Sequence, residues 1–205
     1  MPVPTAPDPI EFWFDFASPY AWFASREIEA LAARHGRAVL WRPFLLGAVF
    51  KVTGMVPLAP STLRGDYARR DWERLARQLG IGFAPPASHP GATVTAARAF
   101  YWLEARDAAA AAGFARALLD AYFGNGVDIA TADGVAAVAA QCRLDPAAVL
   151  AGAAEPAVKD RLRAVTDQAI ARGIFGAPFV LVDGEPFWGH DRLPMVDDWL
   201  ARGGW

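Results

Sequence analysis

A single cysteine, Cys142, stands in 205 residues, so no internal disulfide can form and C-x-x-C redox chemistry is excluded. Its Ala-rich apolar surroundings predict a buried, inert thiol. Histidine is almost as scarce. His35, His89 and His190 are scattered, no His or Cys pair has ligand spacing, and no metal site is expected. Phosphate-cradling P-loops and G-x-G-x-x-G turns are missing. So is any basic excess: the net charge is −2, which argues against a duplex nucleic-acid partner. Five arginines do fall between Arg64 and Arg77, but Asp66, Asp71 and Glu73 are interleaved, the pattern of a solvated helix face. No apolar run approaches the length of a membrane span. The opening MPVPTAPDPIEF lacks the basic and apolar regions of a signal peptide, so a cytoplasmic protein is expected.

What is present is ample core material. Hydrophobic residues make up 54% and charged residues 20%, enough for one packed domain or one domain with a large insertion. After a proline-rich lead over 1–9, IEFWFDF (10–16) reads as a buried strand. Ser18 suits a helix N-cap and Pro19 the first helical position, with the helix running to about His35 and stopped by Gly36. AVLWRPFLL (38–46) reads as a second strand that Pro43 confines to an edge or an end. Strand, helix, strand in this order favours parallel pairing.

The middle has another character. Apolar residues recur at helical spacing in 67–79, 93–111, 114–123, 132–142, 146–151 and 156–172. Breaks are expected at Gly80–Pro90, Gly113, Gly124–Gly126 and Asp145–Pro146, with Thr131 and Asp145 as caps. From GAPFVLVDGEPFWG (176–189) strands return: Asp183-Gly184 between two runs of strand-forming residues signals a hairpin. The last segment predicts a helix with Leu193, Val196, Trp199 and Leu200 inward. The order β-α-β, helices, β-β-α is that of an α/β thioredoxin-like fold with a large all-helical insertion. The sequence thus divides into a discontinuous thioredoxin-like domain, 10–60 with 173–205, and a helical insertion domain, 61–172.

Three segments resemble one family. FDFASPYAWFA (14–24), LLGAVFKVTG (45–54) and GIFGAPFVLVDGEPFWGHDRL (173–193) are similar to stretches of the 2-hydroxychromene-2-carboxylate isomerases and the related kappa-class glutathione transferases, relatives of the DsbA-type oxidoreductases. Tyr67, Asp71, Gly80 and His89-Pro90 extend the similarity through the helices. The resemblance implies glutathione as cofactor, an aromatic carboxylate as substrate and a homodimer as partner state. Where redox relatives carry C-x-x-C, this chain reads Ser18-Pro19-Tyr20-Ala21.

The resemblance also implies site roles. A helix N-terminus exposes unpartnered N–H groups and partial positive charge, which favours a thiolate. Ser18 is placed there as the catalytic residue, its hydroxyl donating to the glutathione sulfur; read alone, it is a plain cap. Pro178 is implied to be cis, leaving the Ala177 backbone to pair with glutathione like an added strand; read alone, it is an ordinary trans proline. Trp188, Gly189, His190 and Asp191 would hold the γ-glutamyl end, His190 through backbone contacts because it has no evident acid–base partner. Asp191 as a mere helix cap remains open. Lys51 is implied to face the substrate carboxylate, with Thr62, Arg64 and His89 nearby; a surface lysine and a loop histidine are the plain alternatives. Relatives often have Asn near Met55 and Ala92, which bears on the substrate end alone. Three activities compete: a glutathione-dependent isomerase, a kappa-like transferase, and a non-catalytic module that binds glutathione or a peptide.

Overall fold

The structure, a computed structural model, describes residues 7–58 and 62–205. Residues 1–6 of the proline-rich lead, and residue 61 at the expected start of the insertion, lie outside the described residues.

The chain opens as β1 (Ile10–Phe14), α1 (Pro19–Ser25), α2 (Ile28–Arg34), β2 (Val39–Pro43) and α3 (Leu46–Thr53). Six helices follow: α4 (Leu63–Leu79), α5 (Val94–Glu104), α6 (Ala108–Gly124), α7 (Ala132–Gln141), α8 (Pro146–Ala154) and α9 (Pro156–Ala171). Then come β3 (Phe179–Val182), β4 (Glu185–Trp188), a 3₁₀ turn at His190–Arg192 and α10 (Leu193–Arg202). The sheet order is β2-β1-β3-β4, with β1 and β2 parallel and the other pairs antiparallel. This is the thioredoxin-like arrangement. No strand occurs among the described residues between β2 and β3.

Composition explains the centre. Phe12 and Phe14 are fully buried on β1, their rings stacked at 5.1 Å, and Trp41 of β2 meets both edge-on. Pro43 ends β2, which is an edge strand, so no ladder bond is lost in mid-sheet. Asp183 and Gly184 both have positive φ, 54° and 92°, as a two-residue hairpin of type I′ requires. On α10, Leu193 and Val196 are buried, while Trp199 and Leu200 are partly buried against the core. Cys142 is half-buried, and burial pushes its thiol pKa up.

The helices join the same core. Trp22 of α1 packs on Phe83 and Phe123 at 6.0 and 5.7 Å, and its indole donates to Asp120 at 2.7 Å. The Tyr101 hydroxyl of α5 donates to the Pro43 carbonyl at 2.6 Å.

Three expectations need correction. The helix from Ser18 to His35 is two helices, broken at Arg26-Glu27: the Ser25 hydroxyl donates to the Trp22 carbonyl at 2.7 Å, and Arg26 and Glu27 N–H groups bond three residues back. The break expected at Gly113 falls at 105–107. There Asp107 caps α6 through Ala110 N–H at 2.9 Å, while Gly113 sits inside the helix. A side-chain cap contributes about as much as a mid-helix glycine costs, roughly 1 kcal/mol, so the cap sets the boundary. Finally, 46–53, which follows the second strand and carries no helix in the sequence reading, is α3.

Candidate functional site

One cavity of about 1010 Å³ opens where the carboxyl end of β1 meets the head of α1, bounded by α3, α4 and the loops at 89–94, 176–178 and 188–192. Ser18 is its best-defined polar feature. The residue is 7% exposed and caps α1: its Oγ accepts from Ala21 N–H at 3.2 Å and donates to the Ala177 carbonyl at 2.9 Å. Pro19 supplies no N–H and the Trp22 N–H goes back to the Ser18 carbonyl, and among the described residues the Tyr20 N–H of the first turn has no partner. The Ala177-Pro178 bond is cis. Among the described residues nothing meets the Ala177 N–H, and its carbonyl meets only the Ser18 hydroxyl. An extended main chain could therefore pair there.

The neighbouring loop is closely fitted. A Cβ on Gly176 would stand 2.2 Å from Trp188 Nε1, and Gly189 has φ 110°. His190 also needs correction. Its Nε2 lies 2.9 Å from Glu27 Oε1, so it has a carboxylate partner, brought from the break between α1 and α2. Asp191 is exposed and lies 3.6 Å from Arg192. Trp188, Gly189, His190 and Asp191 all line the cavity.

The opposite wall comes from the helices. Lys51, Arg64 and His89 line the cavity, as do Met55 and Ala92. Thr62 is not among the lining residues: it caps α4, accepting from Gly65 N–H at 3.0 Å, a use that the sequence reading did not assign. His89 is packed against Trp72, Tyr122 and Phe123, and burial pushes its pKa down from 6.5 to about 4. The imidazole is neutral at physiological pH.

Sequence reasoning missed several polar groups here. Asp15, at the end of β1, is buried beside Ser18 and accepts from Ala17 N–H and Leu46 N–H at 2.8 Å and from the Thr93 hydroxyl at 3.1 Å. Burial raises its pKa and these three bonds oppose the rise. A lone carboxylate closing an aromatic strand was the one available signal. The Tyr20 hydroxyl donates to Asp71 at 2.8 Å, and Arg74 bonds the other Asp71 oxygen at 2.7 Å. Burial, then Asp71, raises the Tyr20 pKa. Nothing in the spacing of residues 20 and 71 announces that contact. Among the described residues no group of three or more His, Cys, Asp or Glu is placed to hold a metal ion.

The chain matches the DSBA-like thioredoxin domain over residues 9–201. It is 30% identical over 195 residues to a 2-hydroxychromene-2-carboxylate isomerase of Sphingobium xenophagum, covering 93% of this chain and 97% of that one. This chain belongs to the DSBA-like thioredoxin family, alongside the 2-hydroxychromene-2-carboxylate isomerases. A solved isomerase of that name superposes with a TM-score of 0.83 at 26% identity, over 94% of each chain. Glutathione S-transferase kappa 2 of Caenorhabditis elegans is 29% identical over 94% of this chain and 92% of its own. Family membership thus accompanies a cavity that begins at a capped serine and a cis proline and ends among helices. It is an isomerase-type member of the family, and its first helix carries serine without any cysteine.

Proposed function

We propose that this chain is a glutathione-dependent isomerase acting on 2-hydroxychromene-2-carboxylate or a similar conjugated aromatic 2-oxo acid, as a cytoplasmic homodimer. One observation carries the reading: Ser18 Oγ, at the head of α1, sits 2.9 Å from the backbone of the residue before a cis proline, at one end of a cavity whose other end carries Lys51 and Arg64. The residues present fit glutathione. The unpartnered Ala177 N–H suits its extended main chain, and the unpartnered Tyr20 N–H suits negative charge at the head of α1. Exposed Asp191, only 3.6 Å from Arg192, can turn to an ammonium group at the γ-glutamyl end, where Trp188 and Gly189 supply walls and the His190 N–H a backbone donor.

Glutathione, when bound, supplies a thiolate that adds to the conjugated substrate, permits rotation about a C–C bond and is then expelled, so it is not consumed. The protein's own residues do the rest. Ser18 turns its hydroxyl proton from the Ala177 carbonyl to the sulfur. The first turn of α1 adds a favourable dipole. Lys51 and Arg64 attract the substrate carboxylate at the rim. The apolar wall excludes water from the reacting carbon.

The relationship to kappa glutathione transferase favours a second reading, in which the thiolate stays attached to the substrate. Turnover of conjugated 2-oxo acids with and without glutathione separates the two. The isomerase returns all the glutathione; the transferase consumes it. A thiolate titration that finds the bound thiol pKa unchanged, with no turnover of any acid tested, would leave a non-catalytic binding module. Calorimetry on Asp191→Ala checks the γ-glutamyl end: unchanged affinity removes Asp191 from the site.

A further inference from the structure

Three buried side-chain nitrogens have no hydrogen-bond partner among the described residues: Arg42 Nε, Arg98 Nε and Trp72 Nε1. Only Trp72 lines the cavity. It is 6% exposed, on the buried face of α4. Its polar neighbour, the Tyr20 phenol, stands with its ring 6.1 Å away and gives its proton to Asp71; the indole N–H bears on the phenol oxygen and pulls that phenol's pKa down, but does not meet it in hydrogen-bond geometry. A buried N–H with no acceptor is costly, and in native proteins such groups mark places where another atom belongs.

His89 is set edge-on to the same indole, with ring centroids 6.0 Å apart. Its Nδ1 lies 3.3 Å from the hydroxyl of fully buried Tyr122. That hydroxyl already accepts from Gly91 N–H at 3.0 Å. Its own proton then goes to His89 Nδ1, the acceptor within reach, which places the imidazole proton on Nε2. Nε2–H has no partner among the described residues. Two uncharged donors from neighbouring rings are therefore left over in one wall.

We propose that Trp72 and His89 form a neutral two-donor site for an oxygen carried on the aromatic ring of the substrate. The inference rests on the substrate class proposed above and names which end of it lies here. Charge divides the cavity. A permanent carboxylate gains most from cations and water, and Lys51 and Arg64 are both exposed. A half-buried imidazole and a buried indole offer no charge, and desolvation holds the imidazole neutral. They suit an ether or phenol oxygen, whose desolvation is far cheaper than that of an anion. The aromatic rings around His89 would pack on the same ring of the substrate.

The test uses two probes without glutathione, so that no turnover occurs: trans-o-hydroxybenzylidenepyruvate and benzylidenepyruvate, which lacks the ring hydroxyl. The native protein should bind the hydroxylated probe roughly three- to tenfold more tightly, the range of a neutral hydrogen bond. Trp72→Phe keeps an aromatic ring and should lose about threefold or more of that preference, as should His89→Phe. On the native protein, the Trp72 indole proton resonance should move downfield with the hydroxylated probe alone; this readout stands even where Trp72→Phe folds poorly. An equal preference in native protein and both variants, or no preference in the native protein, overturns the inference. So does an indole resonance that the ring hydroxyl does not move. A preserved preference with no glutathione-dependent turnover leaves the oxygen site standing and removes the isomerase reading instead.

Discussion

At the Ser18 end the cavity is made largely of backbone: a helix head, a cis peptide and a loop too tight for a Cβ at Gly176. At the Trp72 end it is made of side chains projecting from separate helices and from the loop that carries His89. The first end has a geometry fixed by the sheet, and its main-chain N–H groups are donors that a substitution cannot delete. The second can change its chemistry one residue at a time, as His89 and the departures at Met55 and Ala92 illustrate. On the reading proposed above, a constant backbone-built end beside a variable side-chain end suits a family whose named members include both isomerases and a transferase.

The largest effect that would sharpen this contrast is at Ser18. Ser18→Ala removes the side-chain hydroxyl at the head of α1. Turnover at neutral pH should fall roughly ten- to a hundredfold, the range for a hydrogen bond to a charged acceptor. Glutathione affinity should fall less, and higher pH should restore part of the rate. Because the cap contributes about 1 kcal/mol, thermal unfolding must first establish that the variant is folded. Full activity across the pH range in a folded variant would return Ser18 to the role of cap.

Gly176→Ala tests whether the backbone end tolerates change. The new Cβ would meet the Trp188 indole at 2.2 Å, so the indole must move. Overpacking of this kind costs about 1–3 kcal/mol. Denaturant unfolding and glutathione calorimetry should both report a loss, and an unaltered affinity would remove the Trp188 loop from the proposed glutathione site.

His89 gives the helical wall a pH signature. Its folded-state pKa of about 4 lies below the ordinary 6.5, so the unfolded chain binds this proton more readily. Stability should decline as pH falls from about 6.5 towards 4, and His89→Phe should flatten that decline in urea midpoints. Asp15 acts in the opposite sense. Its carboxyl is raised by burial, so the folded protein gains stability as pH falls through that pKa. Asp183 and Asp197, held low by Arg37 and by His35 with Arg34, lose their contribution only at still lower pH. The His89→Phe difference isolates the histidine from all three.

Lys51→Ala and Arg64→Ala should raise KM for a carboxylate substrate only about two- to fivefold, and less at high salt, because both cations are exposed. Thr62→Ala should do least to catalysis. It removes the α4 cap and about 1 kcal/mol of stability, leaving KM and kcat unchanged, since Thr62 is outside the cavity lining. A KM change as large as that of Lys51→Ala would place Thr62 back among the substrate contacts.

Legibility followed the same division. The hairpin at Asp183-Gly184, the strand of 10–14 and the caps at Ser18, Thr131 and Asp145 are local events, governed by backbone preference and short-range hydrogen bonds, so neighbouring residues suffice to foresee them. The helix end at Asp107 was also local, yet it was hidden because Gly113 offered a competing signal. At the Ser18 end the cap itself was legible for the same reason, Ser18-Pro19 being a local signal, whereas the cis bond at Ala177-Pro178 was foreseen only through the family resemblance. By contrast, the pairing of His190 with Glu27, of Tyr20 with Asp71 and of His89 with Tyr122 joins residues 163, 51 and 33 positions apart.

The sequence by itself therefore determined the order of the four strands around a helical block, the absence of an internal disulfide and the serine at the head of the first helix, because propensity, capping and residue chemistry act over a few positions. Only the tertiary structure decided which side chains share the cavity. The arrangement of α3, α4 and the 89–94 loop sets which ring faces Trp72, which cation stands at the rim and which N–H is left without an acceptor. Those outcomes depend on how helices pack, and packing sums many weak contacts between segments far apart in the chain.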